Sequence, residues 1–133
     1  MSQRIQRNRR RRGAAVAELA ICLPAIVLLI MGTIECCSMI YLRQSLHIAA
    51  YEAIRVAIND DGTGAQAESR ARQIISERAI EGAVIRLTPA TPEFEARGTP
   101  ISVQVTAPGQ NNNVLPLRFF NGDISASALM IKE

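Results

Sequence analysis

Residues 13 to 58 read "GAAVAELAICLPAIVLLIMGTIECCSMIYLRQSLHIAAYEAIRVAI", and the way this stretch changes along its length decides the fold. From Leu19 to Ile34 every residue except Thr33 is apolar or small. At 1.5 Å per residue, about twenty helical residues cross a hydrocarbon core of about 30 Å, so Ala14 to Ser38 is long enough for a membrane span. Beyond it, Leu46, Ala49, Ala50, Ala53, Ile54, Ala57 and Ile58 recur at helical spacing. The pattern predicts one helix from about Ala15 to Ile58, with its first half in lipid and "NDDGTG" at 59 to 64 as its end.

Working outward, the stretch is preceded by a cationic segment. Six arginines, Arg4, Arg7, Arg9, Arg10, Arg11 and Arg12, fall in the first twelve residues with no acid among them. The chain as a whole carries +3, so the remainder carries −3. Arginines beside an apolar run are held on the cytoplasmic side, and near anionic lipid each contributes about 1 kcal/mol of attraction. Arg9 to Arg12 are therefore read as a cytoplasmic basic anchor. No aromatic residues are interleaved with them to stack on bases, which argues against a nucleic-acid arm. A cleavable secretory signal is also disfavoured, because "GTIECCSMIYLRQ" after the apolar core offers no A-x-A site.

An ionised carboxylate at membrane depth costs on the order of 3 kcal/mol, so Glu18 needs a partner or a function. One reading is an acid at the interface beside Arg11 and Arg12, within reach by snorkelling. The other depends on a free amine at Ala14. Glu18 would then be its i, i+4 neighbour on the first helical turn, where the helix dipole favours an anion.

The segment "G-AAVAE-L", Gly13 through Leu19, resembles the processing site of type IV pilin precursors. The longer pattern from residue 11 to 57 is similar to the TadE-like family, the small pseudopilins of tight-adherence (Flp-type) pilus systems. The C-terminal "LPLRFFNGDISASALMIKE" resembles that family's closing strand. Leu19 stands where Flp-type sites usually carry an aromatic residue. The resemblance implies that a membrane aspartic prepilin peptidase cuts between Gly13 and Ala14, making Glu18 the fifth residue of the mature chain. It also implies that Glu18 serves recognition and pairing between neighbouring subunits. The implied partners are that peptidase, other pilins or pseudopilins, and an inner-membrane assembly platform, with no nucleic acid and no cofactor.

The rest of the chain predicts a small head. "AQAESRARQIISERAIEG" at 65 to 82 reads as an amphipathic helix with Ala67, Ala71, Ile74, Ile75 and Ile80 on its apolar stripe and Gly82 at its C-terminal cap. "AVIRLT" at 83 to 88, "ISVQVTA" at 101 to 107 and "ISASALMI" at 124 to 131 alternate as half-buried strands. The expected fold class is α+β and pilin-like: a long N-terminal transmembrane helix extending into a small periplasmic head with a second helix and a short antiparallel sheet. The expected divisions are a basic leader at 1 to 13, a transmembrane and extended helix at 14 to 58, and the head at 59 to 133.

Other residues carry less. Glu35 is expected at the far interface among headgroups, near Arg43. Cys22, Cys36 and Cys37 lack the spacing of a zinc or dithiol site and read as apolar packing, with an intersubunit disulfide through Cys36 or Cys37 left open. "GQNNN" lacks the alternating carboxylates of a calcium loop. His47, the only histidine, has no nucleophile and orienter beside it in the sequence pattern, and no catalytic set appears elsewhere, so the expectation is no enzyme. Phe119 and Phe120 are left between core and interface.

Two functional readings follow. The first is a minor pilin or pseudopilin of the inner membrane, cut after Gly13 and acting in pilus assembly by helix packing, with its head in the periplasm and the chain incorporated in or supporting the filament. The alternative is an uncleaved single-pass anchor whose periplasmic head binds another envelope component.

Overall fold

The computed structural model describes residues 2 to 115 and 121 to 132, with side chains from Gly13 onward. The order is α1 (Ser2–Ile58), α2 (Gly64–Glu77), β1 (Val84–Thr88), β2 (Pro100–Pro108) and β3 (Asp123–Ile131), with short 3-10 turns at Pro92–Phe94 and Gly109–Asn111. The chain divides into two compact units, Met1–Ile34 and Glu35–Glu133. α1 begins at Ser2 rather than near Ala15, since the Arg- and Gln-rich start has good intrinsic helix propensity. It continues through Pro24, whose missing N–H leaves the carbonyl of Ala20 without its usual partner.

In the first unit, Gly13 to Ile30 are exposed throughout, including Ile21, Leu28 and Leu29. An exposed apolar helix surface of this length is unstable in water and suits lipid.

In the second unit α1 has two faces. Leu42, Leu46, Ala49, Ala50, Ala53, Ile54 and Ala57 are buried in one core, together with Ala67, Ala71, Ile74 and Ile75 of α2. Arg70 of α2 meets Glu52 of α1 at 3.3 Å, and Arg78 donates to Ser45 Oγ at 3.2 Å. Later residues of α2 thus meet earlier residues of α1, so the two helices run antiparallel.

The sheet order is β1-β2-β3, antiparallel throughout, with Ile85 opposite Val105 and Val105 opposite Ala126. β2 is central, and its Ile101, Val103, Val105 and Ala107 are fully buried on the inner face. Pro100 stands at the first residue of β2, the place in a strand where a missing N–H costs least.

α2 starts on a capping box: Thr63 Oγ1 accepts from Gln66 N at 3.2 Å while Gln66 Oε1 accepts from Thr63 N at 3.1 Å. Its end differs from the sequence expectation. The helix stops at Glu77, and Gly82 is not its cap. Ala79 instead takes φ 52°, with Ala79 N donating to Ser76 O and Ile80 N to Ile75 O. This is a Schellman closure built on alanine, sealed by the Ile80 and Ile75 side chains, both in the core.

Candidate processing and assembly site

Gly13, Ala14 and Glu18 all lie on α1 and are exposed. Ala14 and Glu18 are one turn apart, so their side chains emerge on the same helix face. A helix interior is a costly place for glycine, about 1 kcal/mol worse than alanine. Gly13 shows no local return for that cost: its φ is not positive, and a Cβ built on it meets nothing within 4 Å. Gly64 makes the contrast, since a Cβ there would stand 2.6 Å from the carbonyl oxygen of Ala90. The backbone of Arg9 to Arg12 continues α1 as helix.

Where the head begins, the structure corrects the sequence reading. Glu35 is not among headgroups beside Arg43; it is fully buried, and its Oε1 accepts a hydrogen bond from Asn113 Nδ2 at 3.2 Å. A carboxylate is taken out of water only where polar partners receive it, and here one comes from the Asn-rich loop. The neighbouring Asn112 also does structural work. Its Nδ2 donates to the carbonyls of Glu81 and Pro108, and its Oδ1 accepts from Glu81 N, joining the segment after α2 to the end of β2.

A second polar anchor had no signal in the sequence reading. Lys132 is 7% exposed, and its Nζ donates to the carbonyls of Pro92 at 2.6 Å and Glu93 at 3.2 Å. Glu93 in turn accepts from Gly64 N at 3.0 Å through Oε2. The Glu93 carboxyl is held below the usual range, first by its own backbone N–H, next by that of Gly64, with a smaller contribution from the Lys132 charge. The last strand, the Pro92 turn and the start of α2 are thereby tied together.

Cys22, Cys36 and Cys37 are free thiols on exposed positions, and His47 is exposed. Among the described residues no cluster of three His, Cys, Asp or Glu side chains could hold a metal ion. Phe119 and Phe120 lie outside the described residues.

These features define a class: a small α+β head following a helix that, alone among the described residues, is long and apolar enough to cross a membrane. Residues 13–55 match the family model described as TadE-like protein, so the chain is similar to that family over most of α1. The likeness is consistent with a component of tight-adherence pili and suggests a role in their assembly. Comparisons with curated proteins and with solved structures give no match.

Proposed function

We propose that the chain is a minor pilin or pseudopilin of a tight-adherence pilus, made as a precursor with a cytoplasmic arginine leader, residues 1 to 13, and cut by a prepilin peptidase between Gly13 and Ala14. The observation that carries this reading is Gly13 itself. The family match opens on it, and the helix around it gives a glycine no conformational or packing purpose. A peptidase that must bring the backbone into its site does give it one, because the absent side chain permits close approach.

After cleavage the new Ala14 amine and the Glu18 carboxylate, four residues apart, neutralise one another on the first turn or pair between adjacent subunits. Either arrangement offsets the cost of a charge at membrane depth. The head then stands on the far side of the inner membrane from the arginines, as the positive-inside rule directs. Partners in this reading are the peptidase, other pilins and the inner-membrane assembly platform.

The test is the N-terminal sequence and intact mass of the membrane-extracted protein, expressed with and without its prepilin peptidase. A peptidase-dependent start at Ala14, lost in Gly13→Phe, is the expected result. A start at Met1 or Ser2 under both conditions would refute processing and leave an uncleaved anchor.

A further inference from the structure

A cavity of about 390 Å³ opens between one turn of α1 and the start of β3, lined by Met39, Ile40 and Arg43 of the helix and Asp123, Ile124 and Ser125 of the strand. It brings a guanidinium and a carboxylate to one hollow without joining them. Arg70, Arg72 and Arg97 pair with Glu52, Glu68 and Asp60, whereas the side chains of Arg43 and Asp123 make no ion pair among the described residues.

The strand adds further polar groups. In an antiparallel ladder, successive residues turn their N–H and C=O groups to opposite sides. Gly122 O accepts from Gly109 N and Lys132 N donates to Thr99 O, so the even-numbered positions along β3 bond toward β2. The odd-numbered Asp123 and Ser125 therefore turn theirs to the outer edge, where no strand pairs among the described residues. The cavity thus offers the Arg43 fork and the Ser125 N–H and hydroxyl to an anion, and the Asp123 carboxylate to a cation.

Position along α1 says what such a ligand is. About twenty helical residues cross the hydrocarbon core, so a span that starts after Glu18, at Leu19, ends at Ser38. The headgroup layer beyond is about 5–7 Å deep, or about four helical residues, the depth of Met39, Ile40 and Arg43. Tyr41, exposed on the same turn, has the amphipathic ring that belongs at this level.

We propose that the cavity seats the headgroup of a far-leaflet phospholipid carrying both a phosphodiester and a primary ammonium, phosphatidylethanolamine. The phosphodiester meets Arg43 and the Ser125 donors, the ammonium meets Asp123, and Met39, Ile40 and Ile124 meet the glycerol and the first methylenes. A purely anionic headgroup would face Asp123 with like charge, which selects a ligand of both signs. A quaternary ammonium has no N–H for the carboxylate, so phosphatidylcholine is the weaker ligand. The site rests on the membrane span of the reading above and not on cleavage at Gly13. Resistance to alkaline carbonate extraction reads the span, N-terminal mass reads processing, and lipid selection reads the site.

The test is native mass spectrometry of the full chain released from detergent micelles that hold equal amounts of dioleoyl phosphatidylethanolamine and dioleoyl phosphatidylcholine. The two lipids have the same net charge, so general attraction to the arginines cancels. The parent should retain one phosphatidylethanolamine in about tenfold preference, the size of one hydrogen bond between charged groups. Asp123→Ala, at an exposed position, should bring that ratio close to one, and Arg43→Gln should lower retention of both lipids, while Arg86→Gln on β1 changes neither. Four outcomes would overturn the proposal: equal retention of the two lipids by the parent, an unchanged ratio in Asp123→Ala, equal losses in Arg43→Gln and Arg86→Gln, or displacement of the lipid by an equal concentration of soluble glycerophosphoethanolamine, which would make the ligand a free zwitterion.

Discussion

Replacing Lys132 by methionine keeps the length and most of the volume of the side chain but removes its donors. The structure sets the size of the effect. Two carbonyls, of Pro92 and Glu93, receive the ammonium at 2.6 and 3.2 Å, and the lysine is 7% exposed. Hydrogen bonds to a charged group contribute about 1.5–3 kcal/mol, and a buried carbonyl left without a donor costs about 1–3 kcal/mol. Water reaches Glu93 more readily than Pro92, since Pro92 is buried and Glu93 half-exposed, so one orphaned carbonyl dominates. The expected loss is about 2 kcal/mol, near the upper end of ordinary single-residue effects. For a head of this size that lowers Tm by about 10 °C. Urea unfolding of the full chain in mild detergent measures the total. Hydrogen exchange at Gly98 and Lys132, whose amides bond to Lys132 O and Thr99 O, measures the local opening. A Lys132→Met protein within about 0.5 kcal/mol of the parent, with unchanged exchange at both amides, would show that the ammonium contributes no more than a surface group does.

The remaining predictions probe other parts of the chain. Ala79→Gly should stabilise the head by several tenths of a kcal/mol up to about 1 kcal/mol in the same unfolding assay, because φ 52° favours glycine by more than the added freedom of the unfolded chain costs. Thr63→Ala should cost about 1 kcal/mol by removing one half of the capping box. Because the Glu93 carboxyl is held below its ordinary range, its contribution is present at neutral pH and is lost as pH falls through the folded value; Glu93→Gln should flatten that acid limb in a pH series of unfolding curves. Glu18→Ala should insert into the membrane as well as the parent, since it removes a costly charge; normal filament assembly by that variant would reject the pairing role of Glu18.

The elements of the fold were legible because each has a period. The apolar tract and the recurring alanines at 49, 50, 53 and 57 mark one long helix, and the alternation at 101 to 107 marks the central strand, whose inner residues are buried as expected. Ends were harder to read. Gly82 carries the usual C-cap signal, yet Ala79 adopts the left-handed turn, because the Ile75 and Ile80 contact in the core fixes where the chain must reverse. The capping box of Thr63 and Gln66 was written in the sequence but hidden in a run otherwise read as a terminator.

The polar anchors were not legible because their partners are distant. An acid just past a membrane segment looks like an interface residue, and nothing near Glu35 points to Asn113, 78 positions away. Lys132 meets its carbonyls across 39 and 40 positions, with no periodicity to announce it. At the candidate processing site the balance reverses. Gly13 and Glu18 are conspicuous as sequence, and the fold adds mainly that glycine serves no local need there.

The core of the head has a consequence for the order in which the chain is made. Leu42, Leu46, Ala53 and Ile54 leave the ribosome well before Ile101, Val103 and Val105, the strand residues that share their core. At about 5–20 residues per second, the intervening fifty or so residues take several seconds. During that interval the newborn helix presents its core face, Leu42 through Ala57, without the strands that later share that core. The growing chain is therefore stickier than the completed one, and a holding factor or rapid delivery to the membrane has its greatest effect before β2 emerges.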